Sequence, residues 1–239
     1  MTSAAIIEMY YLDCEIEAAF YLLFKGSYTC IYLKFLKKKN LEKLYQLIQD
    51  SPFATLISHS AEGLEANHLP FHLLFDENNQ TATLVAHIAK NNPLHTQIED
   101  GAEVLIIFQG EQGYISPNWY PSKQQHHQHV PTWNYQVVHV KGTITFLTDE
   151  KALRGILAKL TRTHEAKQET PWKMSDAPSE YIAQELKNIV GIEIQISHTT
   201  GKFKLSQNRE KIDALGVVDG LQQQGNHSLA NTVEQYIED

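Results

Sequence analysis

The sequence predicts a mainly β protein of the α+β class, an antiparallel barrel with peripheral helices. Three observations predict it. From Pro52 onward apolar residues recur with period two. Short turn-like segments join most of the resulting six or seven strands. Helical patterns come late, and strand does not alternate with helix, which disfavours a doubly wound parallel sheet. No glycine fingerprint for a dinucleotide follows a strand.

The elements run in order. Asn40 is a good N-cap for a helix whose apolar stripe is Leu41, Leu44, Leu47 and Ile48. Pro52 stops it, because the residue before a proline leaves helical geometry. Phe53–Ser58 reads as a strand ending at a turn around Glu62 and Gly63. His68–Phe75 reads as the next, ending in the hairpin-like loop Asp76–Gln80, and Thr81–His87 follows. Glu103–Phe108 is apolar on both faces, as a central strand requires. Val137–Phe146 alternates, with Val138, Val140, Ile144 and Phe146 on one face and His139, Lys141, Thr143 and Thr145 on the other. Gly191–Ser197 repeats the pattern through Ile192, Ile194 and Ile196. Gly201–Ser206 is expected to close a tight hairpin after Thr199, Thr200 and Gly201. Between these strands Asp149 caps a helix carrying Leu153, Ile156, Leu157 and Leu160. A second helix with Pro178 in its first turn carries Ile182, Leu186 and Ile189. The tail from Ser228 is a short helix or a frayed end.

Composition narrows the function. A length of 239 residues suits one domain with appendages. A net charge of −8 argues against a protein built mainly to coat phosphate backbones. Cys14 and Cys30 form neither a metal-type spacing nor a disulfide framework, so a reducing, cytoplasmic setting is expected. The greasy run Ala4–Phe24 is interrupted by Glu8, Asp13, Glu15 and Glu17. It lacks a basic leader and a cleavage site, so no membrane partner and no signal peptide are expected.

Two segments carry chemistry. Gly113–Tyr135 packs Tyr114, Trp119, Tyr120, Trp133 and Tyr135 together with Pro117, Pro121 and Pro131 and with His126, His127 and His129. Either the histidines hold a metal or stiff rings wall a flat ligand. The metal is disfavoured, because neither a helical histidine pair with an intervening Glu nor a cysteine pair is present. The second segment, "AHIAKNNPLH", follows a strand with His87, Lys90, Asn91 and Asn92, and Pro93 opens a short helix. A cation and amides at a helix start can hold a phosphate. Ser58, Ser116 and Ser122 do not sit in a nucleophile elbow.

Ten stretches in register then carry a resemblance: "SPFATLIS", "GLEANHLPF", "AHIAKNNP", "VLIIFQG", "YISPNWYPSK", "VPTWNY", "VVHVKGTI", "THEA" with "PWKMSDAP", "IVGIEI" and "GKFKLSQNR". From about Tyr32 to Leu221 the chain resembles the PaiB-type FMN-binding negative transcriptional regulators. The resemblance implies a six-stranded antiparallel split β-barrel, homodimeric, with FMN at the subunit boundary. It divides the chain into an atypical extension at 1–31, the FMN-binding domain at 32–221 and a C-terminal tail at 222–239.

By analogy with split barrels, His87, Ala89 and Lys90 meet the phosphate, with His68 and Leu69 on a neighbouring strand facing the same place. Ser122 and Lys123 supply a hydroxyl and a second cation. Tyr114, Trp119, Tyr120, Trp133 and Tyr135 wall the ring, Asn134 bonds its polar edge, and Arg209 stands by as an anion fork. Three departures stand out. The proline of an opening "MY-x-P" is missing near Tyr32. Lys90 stands where Arg is usual. Gln124, Gln125, His126, His127 and Gln128 replace a usual "x-E-H-G-K", leaving His126 as the matching position.

The resemblance implies a flavin-binding transcriptional repressor, with DNA as a further partner, although no helix-turn-helix with a basic face is visible. The alternative is an FMN-dependent oxidoreductase of the flavin reductase kind, with His126 or His139 as proton donor.

Overall fold

The computed structural model describes residues 41–76 and 81–238. The expectations placed on residues 1–31, Tyr32, Asn40 and the 77–80 part of the hairpin loop lie outside them. The described chain forms two compact units, one of residues 109–138 and 200–238, the other of 41–76, 81–108 and 139–199.

In the larger unit, helix α1 (residues 41–50) buries Leu44, Leu47 and Ile48. Strands β1 (Phe53–Ser60), β2 (Gly63–Pro70), β3 (His72–Asp76) and β4 (Thr81–Ala89) follow. β5 (Glu103–Ile115), β6 (Thr132–Leu147) and β7 (Ile189–Lys204) begin or end here and continue into the smaller unit. The strand order is β2-β1-β5-β6-β7-β4-β3. β2 and β3 stand at opposite ends of that order, yet only Phe71 separates them in the chain. Seven strands laid flat would hold them roughly 29 Å apart, far beyond the reach of one residue. The sheet must therefore roll up until its ends meet at Phe71.

Pro70 explains the break. It has no N–H to continue a ladder, so β2 ends there. Phe71 turns inward instead. Its N–H donates to the Pro52 carbonyl at 2.8 Å, and its ring packs edge-on against Phe108 at 6.0 Å. The expected His68–Phe75 strand is thus two strands, and the sheet has seven strands rather than six. Leu56, Leu84, Ile106, Ile144 and Ile192 fill the interior.

Outside the sheet lie α2 (Leu94–Gln97), α4 (Glu150–Glu165) and α5 (Ser179–Glu185). Asp149 caps α4 as expected, its carboxylate accepting from the Ala152 N–H at 2.9 Å. Ile156 and Leu160 of α4 cover Val85, whose face of β4 also carries Thr83 and His87. Leu153 packs with Ile182 and Leu186 of the α5 region.

One expected turn is absent. β7 passes unbroken through Thr199, Thr200 and Gly201. A two-residue hairpin needs a residue at positive φ, and Gly201 is not among those that adopt it.

The smaller unit holds the distal parts of β5, β6 and β7, a 3-10 turn at Pro117–Trp119, α3 (Lys123–His126), α6 (Lys211–Gln223) and α7 (His227–Glu238). β5 reaches Ile115, so Gly113 and Tyr114 are strand rather than loop. α6 was not anticipated, and it runs across residues 221–222. Two glycines a turn apart weaken its propensity, but packing requires them. A Cβ at Gly216 would lie 2.1 Å from the Trp119 carbonyl oxygen, and one at Gly220 would lie 2.2 Å from the Trp119 ring.

Candidate functional site

The larger unit holds five of the expected site residues. His87 lies near the end of β4. Its Nδ1 is buried with no hydrogen-bond partner among the described residues, and burial lowers its pKa, so the imidazole is neutral at pH 7. After Ala89 the chain turns. The Lys90 N–H donates to the Asn188 carbonyl at 2.7 Å. Ala89, Lys90, Asn91 and Asn188 line an open cleft of about 490 Å³. The Lys90 side chain is exposed and makes no hydrogen bond or ion pair with a described residue.

Asn92 is already committed. Its Nδ2 donates to Asn67 Oδ1 at 2.7 Å, and its Oδ1 accepts from the Leu94 N–H at 2.9 Å. The first amide of α2 is therefore occupied, and Lys90 is the stronger anion-binding feature. On β2, Leu69 is buried opposite Ala54, while His68 is exposed opposite Thr55 with its ring against Phe53 at 6.4 Å. The two face opposite sides, as neighbours on a strand must.

The smaller unit holds the remaining eight. Tyr114 and Trp133 are 48% and 54% exposed and meet edge to face at 6.4 Å, the geometry of an accessible aromatic wall. Trp119 is half-buried against α6. Asn134 is buried; its Nδ2 donates to Ser206 Oγ at 2.9 Å, and its Oδ1 has no partner among the described residues. Lys123 donates to Asn118 Oδ1. His126 is the last residue of α3.

Ser122 and Arg209 belong to a network that the sequence did not reveal. Ser122 Oγ donates to Asp213 Oδ2 at 2.6 Å, and its N–H donates to Oδ1 at 3.0 Å. His129 Nε2 lies 2.7 Å from Ser122 Oγ, and Arg209 Nη1 donates to His129 Nδ1 across 3.4 Å. An Nδ1 that accepts from a guanidinium leaves a neutral ring's proton on Nε2. The histidine then donates to Ser122, which donates to Asp213. Three residue types of a hydrolytic triad meet here with the proton order reversed, so His129 cannot act as the base for Ser122. The Arg209 guanidinium also stacks over Tyr120 at 4.7 Å.

Burial alone would raise the Asp213 pKa. The two Ser122 bonds, then the charge of His129 once it is protonated at low pH and that of Arg209, outweigh it and hold the carboxyl below its usual value. Asp213 left one weak sequence signal, a lone acid among the apolar residues of "KIDALGVV". Tyr120, expected as a wall residue, is 1% exposed and is core instead. Among the described residues, no group of three His, Cys, Asp or Glu side chains is placed to hold a metal.

Comparisons with known proteins bear on the family and the fold. Residues 32–198 match the family described as "Putative FMN-binding domain". The chain is 31% identical over 201 residues to protease synthase and sporulation protein PAI 2 of Bacillus subtilis, covering 84% of this chain and 93% of that one. It is 33% identical to an uncharacterized protein of Aspergillus fumigatus, covering 80% of this chain and 92% of the other. A solved FAD- and heme-binding protein from Mycobacterium smegmatis superposes with a TM-score of 0.51 at 18% identity, over 68% of this chain and 70% of its own. The fold is thus that of the antiparallel split-barrel flavin proteins. The chain belongs to the PaiB-type FMN-binding family. No helix among the described residues is long and apolar enough to cross a membrane.

Proposed function

We propose that the FMN phosphate binds at the end of β4 and that the protein works as a homodimeric regulator of the PaiB type. Lys90 carries the placement: an ammonium without a partner among the described residues borders an open cleft with the amides of Asn91 and Asn188. His87, two residues before Ala89 on β4, is not among the residues that line this cleft. Lys90 and the two amides fit a phosphate monoester. Lys90 offsets part of its charge, and the two amides offer donors. Bound FMN supplies a ring that exchanges electrons; the chain orients it and shields it from water.

The homodimer is supported by one sheet face. Phe53, Ile57, Leu64, Ala66, Leu105 and Ile107 point away from the core on three neighbouring strands, with Phe53 65% and Leu64 75% exposed. Apolar surface of this kind, interrupted by Thr55, His59 and His68, favours association with a partner.

Flavin titration tests the reading. Wild-type protein should bind FMN, and Lys90→Glu should weaken binding at least roughly tenfold by opposing the phosphate charge. Anaerobic mixing of the FMN-loaded protein with NADH or NADPH should leave the flavin oxidised. Rapid bleaching would favour the oxidoreductase reading, and unchanged affinity in Lys90→Glu would remove the phosphate from this cleft.

A further inference from the structure

Lys90 stands at the corner of a tight turn, and a residue from the far end of the sheet holds that turn. The Asn92 N–H donates to the Ala89 carbonyl at 2.9 Å, which closes the turn and leaves Lys90 and Asn91 at its corner positions. Both border the open cleft, with Ala89 and Asn188. The incoming leg is fixed by the main chain, through the 2.7 Å bond from the Lys90 N–H to the Asn188 carbonyl just ahead of β7. The outgoing leg is fixed by a side chain. Asn92 Nδ2 donates to Asn67 Oδ1 at 2.7 Å.

Asn67 belongs to β2, where it pairs with Leu56 of β1. Leu56 is fully buried, and residues directly opposite on paired strands share a face, so Asn67 lies on the inner face while Ala66 and His68 lie on the outer one. β2 ends the strand order on one side, and β4 stands next to last on the other. The Asn67–Asn92 bond therefore crosses the seam at which the rolled sheet closes. Both side chains are half-buried, so water competes for the bond only in part.

Asn92 is also held from its other side. Its Oδ1 accepts from the Leu94 N–H at 2.9 Å, and its carbonyl lies 2.9 Å from His95 Nδ1. It is stretched between β2 and α2, with the Lys90 corner directly before it. A second link between the β1–β2 hairpin and α2, from Gln97 Nε2 to Glu62 Oε2 at 3.2 Å, is exposed and lies beyond the turn.

We infer that Asn67 is a positioning residue for the FMN phosphate, holding the Asn92 leg of the turn that presents Lys90. The inference rests on the phosphate placement proposed above. Asn67 does not line the cleft, so it acts on the ligand through Lys90. A lysine on a loose turn loses part of its attraction to the ordering of the chain, whereas one on a pinned turn does not. The effect falls on the phosphate and not on the flavin ring.

Fluorescence titration of the full-length protein with FMN and with riboflavin, which lacks the phosphate, tests it. Asn67→Leu keeps the approximate size of the side chain and removes the acceptor. It should weaken FMN about tenfold and leave riboflavin within about twofold. In a Lys90→Ala background the same substitution should cost FMN nothing further, as two residues acting through one contact require. Asn67→Ala carries the test should the leucine variant fail to fold, and the double-variant comparison decides alone should riboflavin bind too weakly to measure. Unchanged FMN affinity in Asn67→Leu, equal weakening of both flavins, or full additivity with Lys90→Ala would overturn the inference while the phosphate placement stands. FMN affinity unchanged in Lys90→Ala would overturn both.

Discussion

Asp213 shows how much one residue can hold. It is 3% exposed, and it receives both the hydroxyl and the amide of Ser122, 91 residues earlier in the chain. Removing it leaves two buried donors without an acceptor, at about 1–3 kcal/mol for each group left unpaired. Asp213→Ala should therefore cost roughly 2–4 kcal/mol at pH 7, read from denaturant midpoints. The pH dependence has a definite sign. Because the folded pKa is depressed, the Asp213 contribution is present above the ordinary carboxylate value of 3.8 and is lost as pH falls through the lower folded value. Wild type and variant should converge in stability below that value; a gap that persists there would assign the cost to packing. Lys90 is the opposite kind of residue. Exposed and easily read from "AHIAKNNP", it was legible as a candidate because strand, cation and proline are adjacent in sequence. Asp213 was not, because its meaning lies in partners brought to it by the fold.

At the scale of elements, periodicity served where both the period and the cap were local. α4 has both an apolar stripe and Asp149, and β6 alternates cleanly; both stand as expected. α6 went unread and the run through Gly201 was misread. Gly201 was taken as a turn whereas in β7 it is simply strand, and in α6 Gly216 and Gly220 make room for Trp119. The end of α3 carries a different consequence. His127 follows α3 in the left-handed region, with φ 53°. This is the position where the resembling family usually has glycine, and a side chain there costs about 1 kcal/mol or more. His127→Gly should raise stability by about 1 kcal/mol, measured as a higher denaturation midpoint. An unchanged or lower midpoint would mean that the imidazole makes up that cost elsewhere.

For the whole molecule, the decisive feature is that β2 and β3 are joined by one residue and yet end the strand order on opposite sides. Rolling the sheet closes the interior and leaves Phe53, Ile57, Leu64, Ala66, Leu105 and Ile107 on the outer face of β2, β1 and β5. A stable dimer buries on the order of 1,200–2,000 Å² in total, which a three-stranded face can contribute to. Sedimentation equilibrium should report a dimer for the wild-type chain. Phe53→Glu with Leu64→Glu should shift it to monomer with unchanged circular dichroism, since both side chains are largely exposed within one protomer. A wild-type monomer at micromolar concentration, or a double variant still dimeric, would place the interface elsewhere or remove it.

The amino-acid order alone was enough for the β-rich class, most strand and helix cores, and the candidate phosphate turn, because each depends on residues within a few positions of one another. Tertiary structure decided the seventh strand, the pairing of Ser122 with Asp213, the burial of Tyr120, and the bond between Asn67 and Asn92. Those features join residues tens of positions apart, and such meetings depend on how the sheet rolls and where its helices pack, which no local pattern encodes.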